Sequence, residues 1–97
     1  MTHRVTIRMT GANNGSDEVY NDSDDTHLQC LAVYNNYSNN NWIENYTMTI
    51  VDDNTKEQVM DFDSSGRWAA YRSELQTITG GVTITGYTNT IVSEEDV

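Results

Sequence analysis

The stretch Tyr46–Glu74, YTMTIVDDNTKEQVMDFDSSGRWAAYRSE, decides the fold. Thr47–Val51 and Glu57–Phe62 are short runs rich in β-branched and large apolar residues, the composition of strands. Asp52, Asp53, Asn54, Thr55 and Lys56 lie between them, and most of these are types whose side chains bond their own backbone in turns. Two such runs with a short polar connection predict a β-hairpin. Tyr46, Met48 and Ile50 fall on one side of the first strand, with Thr47, Thr49 and Val51 opposite. Alternation on the second strand points Phe62 into the core and Asp61 and Asp63 outward. Asp63, Ser64 or Ser65 can then accept from the free N–H groups of a helix start. Trp68, Tyr71, Arg72 and Leu75 follow at helical spacing, and Gly80-Gly81 stops the helix.

Working outward, His3–Thr10 alternates Val5, Ile7 and Met9 with Arg4, Thr6 and Arg8, the pattern of a half-buried strand. Residues 11–26 carry Asp17, Glu18, Asp22, Asp24 and Asp25 with no base, and read as a long polar loop. His27–Tyr34 is apolar on both faces. It fits a central strand, which we favour, or a short helix capped by Asp25 or Thr26. Residues 35–45, NNYSNNNWIEN, read as a second polar loop, because the asparagine side chain competes with regular backbone pairing. Val82–Val92 supplies a closing strand that Gly86 interrupts, a glycine position that commonly marks a bulge. Residues 93–97 end the chain in a frayed acidic tail. The expected fold is α+β, one domain over residues 1–97: an antiparallel sheet of about four strands with one helix packed on a face. An all-β fold with a short helix is the rival.

The 97 residues allow one modest core, and 15 acids against five bases (Arg4, Arg8, Lys56, Arg67 and Arg72) set the formal charge at −10. Such a balance disfavours direct binding to nucleic acid or an anionic membrane, both of which call for a basic face. It suits a basic protein surface or a divalent cation, or it serves solubility alone. The opening residues MTHRVTIRMTG hold no apolar leader, and no stretch reaches transmembrane length, so a cytoplasmic protein is expected. Asn14, Asn21, Asn36 and Asn45 each open an Asn-x-Ser/Thr triplet. About two such matches arise by chance at this content, so they do not argue for secretion.

Catalytic and metal motifs fail on inspection. Asp22-x-Asp24 resembles the start of a calcium loop, but the Gly and distal Glu of that pattern are missing. His27 and Cys30 could make half a zinc site, yet about four ligands are needed and only His3 remains as another imidazole. Cys30 lies in the most apolar run of the chain, where a thiol is structural rather than nucleophilic. Acid/base catalysis needs two carboxyls in different environments, and nothing in the sequence singles one out. No enzyme activity, cofactor or metal is expected.

Binding remains. In size, charge and a hairpin leading into a helix, the chain resembles the small acidic phage-encoded inhibitors of host defence, the anti-CRISPR proteins. That family shares no common motif, so the resemblance transfers no residue by matching. It implies a protein that occupies the basic nucleic-acid site of a nuclease complex in the host cytoplasm, as a monomer or homodimer. On that reading Asp22, Asp24 and Asp25 in the first loop and Asp52, Asp53 and Glu57 on the hairpin pair with Arg and Lys of the partner. Tyr37 and Trp42, aromatics within a polar loop, are either pins to the core or added contact area. The alternative is a structural or assembly subunit, virion or surface-associated, whose acids serve solubility and whose Thr-rich strands or exposed edge Val82–Val92 make the contacts.

Overall fold

The alternation of Val5, Ile7 and Met9 with Arg4, Thr6 and Arg8 produces the central strand of the sheet. The structure, a computed structural model, describes residues 1–11, 25–80, 83–84 and 87–97. In chain order its elements are β1 (His3–Gly11), α1 (Asp25–Asn39), β2 (Ile43–Asp52), β3 (Thr55–Phe62), α2 (Ser65–Thr79), β4 (Thr83–Ile84) and β5 (Tyr87–Asp96). Among the described residues the sheet has the order β2-β3-β1-β5-β4, and every pairing is antiparallel. The fold is therefore α+β as expected, but with two helices among the described residues rather than one.

Both helices contribute to a single core over one face of the sheet. Val5, Ile7 and Met9 of β1 and Met60 and Phe62 of β3 meet Cys30 and Tyr37 of α1 and Trp68, Tyr71 and Leu75 of α2. Each such side chain contributes about 1.5–3 kcal/mol on leaving water. Aromatic edges tie the layers: Phe62 lies 5.4 Å from Trp68 and 5.3 Å from Tyr71, and Tyr71 lies 5.1 Å from Tyr37. Arg4, Thr6 and Arg8 face the other, open side of the sheet.

The hairpin is longer and its turn tighter than the sequence suggested. Asn54 N–H donates to Asp52 Oδ1 at 2.8 Å, which closes the turn at Asp53-Asn54, so Thr55 and Lys56 belong to β3. Ser64 caps α2, its hydroxyl accepting from Arg67 N–H at 3.1 Å. Gly80 ends α2 in the left-handed region (φ 73), its N–H returning to the Gln76 carbonyl at 2.9 Å.

Three sequence expectations are corrected. The expected strand His27–Tyr34 is the body of helix α1. The expected loop 35–45 comprises the last turn of that helix, a short turn and the start of β2. Here asparagine acts as a helix terminator. Asn41 takes the left-handed conformation (φ 62), Asn41 N–H donates to the Ser38 carbonyl at 3.0 Å, and Trp42 N–H donates to the Tyr37 carbonyl at 2.9 Å. That pair of bonds is a Schellman cap, a motif that accepts Asn in place of Gly. The expected acidic tail is the end of β5, which pairs His3 with Asp96, Arg4 with Glu95 and Val5 with Glu94. A bulge makes this register work: Thr6 pairs with Ser93 and Ile7 with Ile91, leaving Val92 as the extra residue. The inserted residue brings Glu94 and Asp96 onto the side that carries His3. The bulge foreseen at Gly86 lies outside the described residues.

Candidate functional site

The five bases are placed so that most of their charge is neutralised or covered within the fold. Arg4 on β1 makes a two-pronged bond to Asp61 on β3, Nε to Oδ1 at 2.8 Å and a terminal nitrogen to Oδ2 at 3.0 Å. The register sets this pair directly opposite. Arg4 holds the Asp61 carboxyl below the usual aspartate range, against the opposing effect of burial. Arg8 faces Glu57 across the same two strands at 3.4 Å. Arg67 lies 3.5 Å from Asp63 one helical turn away and stacks 4.0 Å above the Trp42 ring. Lys56 is 1% exposed. Arg72 stands exposed on α2.

Acids are displayed instead. Asp52 and Asp53 sit together, both exposed, at the tip of the β2–β3 hairpin, where a Gly11 N–H bond to the Asn54 carbonyl (3.2 Å) braces the turn. Asp25 is exposed in the first turn of α1, on a separate element. Glu57 is half-buried within the sheet and engaged with Arg8, so it belongs to the sheet surface rather than the tip. Asp22 and Asp24 lie outside the described residues.

A second acidic region is the stretch expected to be a frayed tail, here held as strand. Glu94, Glu95 and Asp96 are exposed at the last rungs of β5, and Glu44 is exposed at the start of β2, accepting from the Thr2 hydroxyl at 2.7 Å. The register puts this region at the His3 end of β1, opposite the hairpin tip. The nine residues of β1 separate the two by roughly 26 Å at the usual rise per strand residue. His3 is enclosed here, Nδ1 2.9 Å from Asp96 Oδ1 and Nε2 3.1 Å from Glu94 Oε1. The Asp96 bond raises its pKa above the ordinary histidine value; burial opposes the rise, and Glu94 adds to it. Three acids ending a chain suggest fraying. The signal that could have found the strand is the alternation that places Tyr87 and Ile91 on one face and leads straight into them.

The aromatic candidates are structural. Tyr37 is 4% exposed in the core, and its hydroxyl donates to the Glu74 carboxylate on α2. Burial pushes the Tyr37 pKa up to about 12, with the Glu74 bond and charge adding to the rise. This placement corrects the assignment of Tyr37 as a contact residue, since it has almost no surface to offer. Trp42 is half-buried between Tyr37, met edge-on at 5.1 Å, and the Arg67 guanidinium, so it acts as a pin.

The open sheet face holds a shallow depression of about 450 Å3 lined by Arg4, Thr6, Asn45, Thr47, Val59 and Asp61. Its one charged pair, Arg4 with Asp61, is internally satisfied. Cys30 is fully buried. Among the described residues no group of three His, Cys, Asp or Glu side chains could hold a metal ion, and no helix is long and apolar enough to cross a membrane. No family model, curated protein or solved structure matches the chain.

Proposed function

We propose that the protein is a small acidic binding module that occupies the basic nucleic-acid site of a host-defence complex, in the manner of the anti-CRISPR proteins it resembles. One observation carries this reading: four of the five Arg and Lys residues are paired or covered within the fold and only Arg72 stands exposed, while carboxylates at the hairpin tip and on the last rungs of β5 are exposed. A field of one sign speeds association with a surface of the other and excludes nucleic acid from its own. On this proposal Asp52, Asp53 and Glu94–Asp96 meet Arg and Lys of the partner, in the cytoplasm of the host cell. Capture from host lysate at low and high salt tests it. Recovery of a basic nucleic-acid-binding complex that is lost at high salt and displaced by DNA supports the proposal. A partner held equally well at high salt contradicts it.

A second reading has its own observation. β2 forms an outer edge of the sheet, ten residues long, and ends in Ile50 and Val51, which are 55% and 54% exposed. A long edge with exposed apolar residues can pair with another chain, as an assembly subunit requires. The edge considered from sequence, Val82–Val92, spans β4 and the first part of β5, and residues 82, 85 and 86 of it lie outside the described residues. Concentration-dependent growth into polymers, abolished by Ile50→Lys, would favour assembly over inhibition.

A further inference from the structure

Among the described residues, three hydrogen-bond donors with no acceptor lie buried on the covered face of the sheet, toward one end. Lys56 and Gln58 are neighbours on the covered face of β3, 1% and 2% exposed, and Tyr87 of β5 is 1% exposed. The central strand links them: Met9 pairs with Lys56, Ile7 with Gln58 and Gly11 with Tyr87. Lys56 Nζ lies 5.4 Å from the centroid of the Tyr87 ring. Among the described residues nothing accepts from Lys56 Nζ, Gln58 Nε2 or the Tyr87 hydroxyl.

A buried ammonium is among the most costly groups to leave without a counter-charge, and a ring face does not replace an oxygen acceptor. Here a cation is joined by an amide N–H2 and a phenol, all three able to donate. In a chain of charge −10, with 15 acids for five bases, a lysine 1% exposed and with no acceptor among the described residues is the reverse of what composition favours. We propose that Lys56, Gln58 and Tyr87 form a binding site for a monocarboxylate. The two oxygens of a carboxylate can accept from all three donors, and its single charge matches the single ammonium. A multiply charged anion such as phosphate is disfavoured by the net charge of the chain. Lys56 is the second residue of β3, adjacent to the exposed Asp53-Asn54 turn, so the site lies near an end of the sheet rather than in its middle.

Sodium acetate is the probe. It is titrated against sodium chloride at constant ionic strength into isotope-labelled protein followed by NMR, with thermal unfolding recorded in parallel. The expected result is a saturable shift of the Gln58 side-chain amide and a matching rise in Tm. Lys56→Met, which fills the same space without the charge, should fold and lose at least about tenfold in apparent affinity. Tyr87→Phe keeps the ring and should weaken binding several-fold, which tests the site even if Lys56→Met folds poorly. A response absent from the wild type, or equal in the wild type and both variants, overturns the proposal. An absent response would include the case in which a carboxylate of the chain itself already fills the position.

Discussion

Trp42 N–H donates to the Tyr37 carbonyl at 2.9 Å, and the two rings meet edge-on at 5.1 Å. The same two residues thus close helix α1 through the backbone and seal it through their side chains. In a Schellman cap an apolar contact commonly accompanies the bond between these two positions. Trp42→Ala should therefore destabilise the protein by about 3 kcal/mol, the lower end of the range for a buried aromatic because this ring is half-exposed. Denaturant unfolding checks it. Trp42→Phe should leave partner capture unchanged, since the side chain serves the fold.

Gly80 offers a smaller, cleaner effect. Its φ of 73 is strained for any residue with a side chain, although no atom lies close enough to clash with an added Cβ. Gly80→Ala should cost about 1–2 kcal/mol through backbone conformation alone, read as a shift of the denaturant midpoint with an unchanged m-value.

His3 ties the first strand to the last, and it makes stability depend on pH near neutrality. Its folded pKa is raised by Asp96, with Glu94 adding and burial opposing. The raised pKa means that the folded state holds the proton more tightly than the unfolded one. The stabilisation is therefore complete below about pH 6.5, the unfolded value, and is lost as pH rises through the folded pKa. Unfolding free energy measured from pH 5 to pH 9 should fall across that window in the wild type, and His3→Gln should flatten the fall.

Asp61 acts in the opposite direction. Arg4 lowers its folded pKa, so this contribution is present above the ordinary aspartate value and disappears as pH falls through the lowered one. Arg4→Met leaves a nearly buried carboxylate without its partner. It should lower Tm most at neutral pH and least in acid, where Asp61 is protonated.

Tyr37 should resist ionisation. Its pKa of about 12 lies above that of an unfolded tyrosine, near 10, so its stabilisation holds below pH 10 and fades as pH rises through the folded value. An absorbance titration should show a late phenol that Tyr37→Phe removes, beyond the smaller delay that burial gives Tyr34.

The hairpin, the α2 cap and strand β1 were legible because each carries a local signal: an Asx turn, a serine before a helical stripe, an alternation; that β1 is the central strand was not. Helix α1 was missed because its reading stopped at Tyr34. Cys30, Val33, Tyr34 and Tyr37 stand at helical spacing, and only a window reaching into the asparagines shows it. Those asparagines suggested a loop, yet they are the end of a helix. The acids of β5 were taken for a tail because charge hides strand character, and only pairing with β1 makes them a strand. Lys56 gave no signal of burial, since a lysine beside Asp53 and Asn54 reads as turn. Of the proposed contact acids, Asp52 and Asp53 were found where expected, but which carboxylates face outward depends on which pair with Arg4, Arg8 and Arg67. That is a property of the register.

The most direct test of the functional account compares the wild type with Asp52→Lys/Asp53→Lys as bait for a host nucleic-acid-binding complex, across a series of salt concentrations. Both substituted positions are exposed at a turn, so the variant should keep its fold, as circular dichroism can verify. The account predicts capture by the wild type that weakens steeply with salt, as screening of surface charge requires, and is lost on charge reversal. Equal capture by both proteins, or capture indifferent to salt, would contradict it.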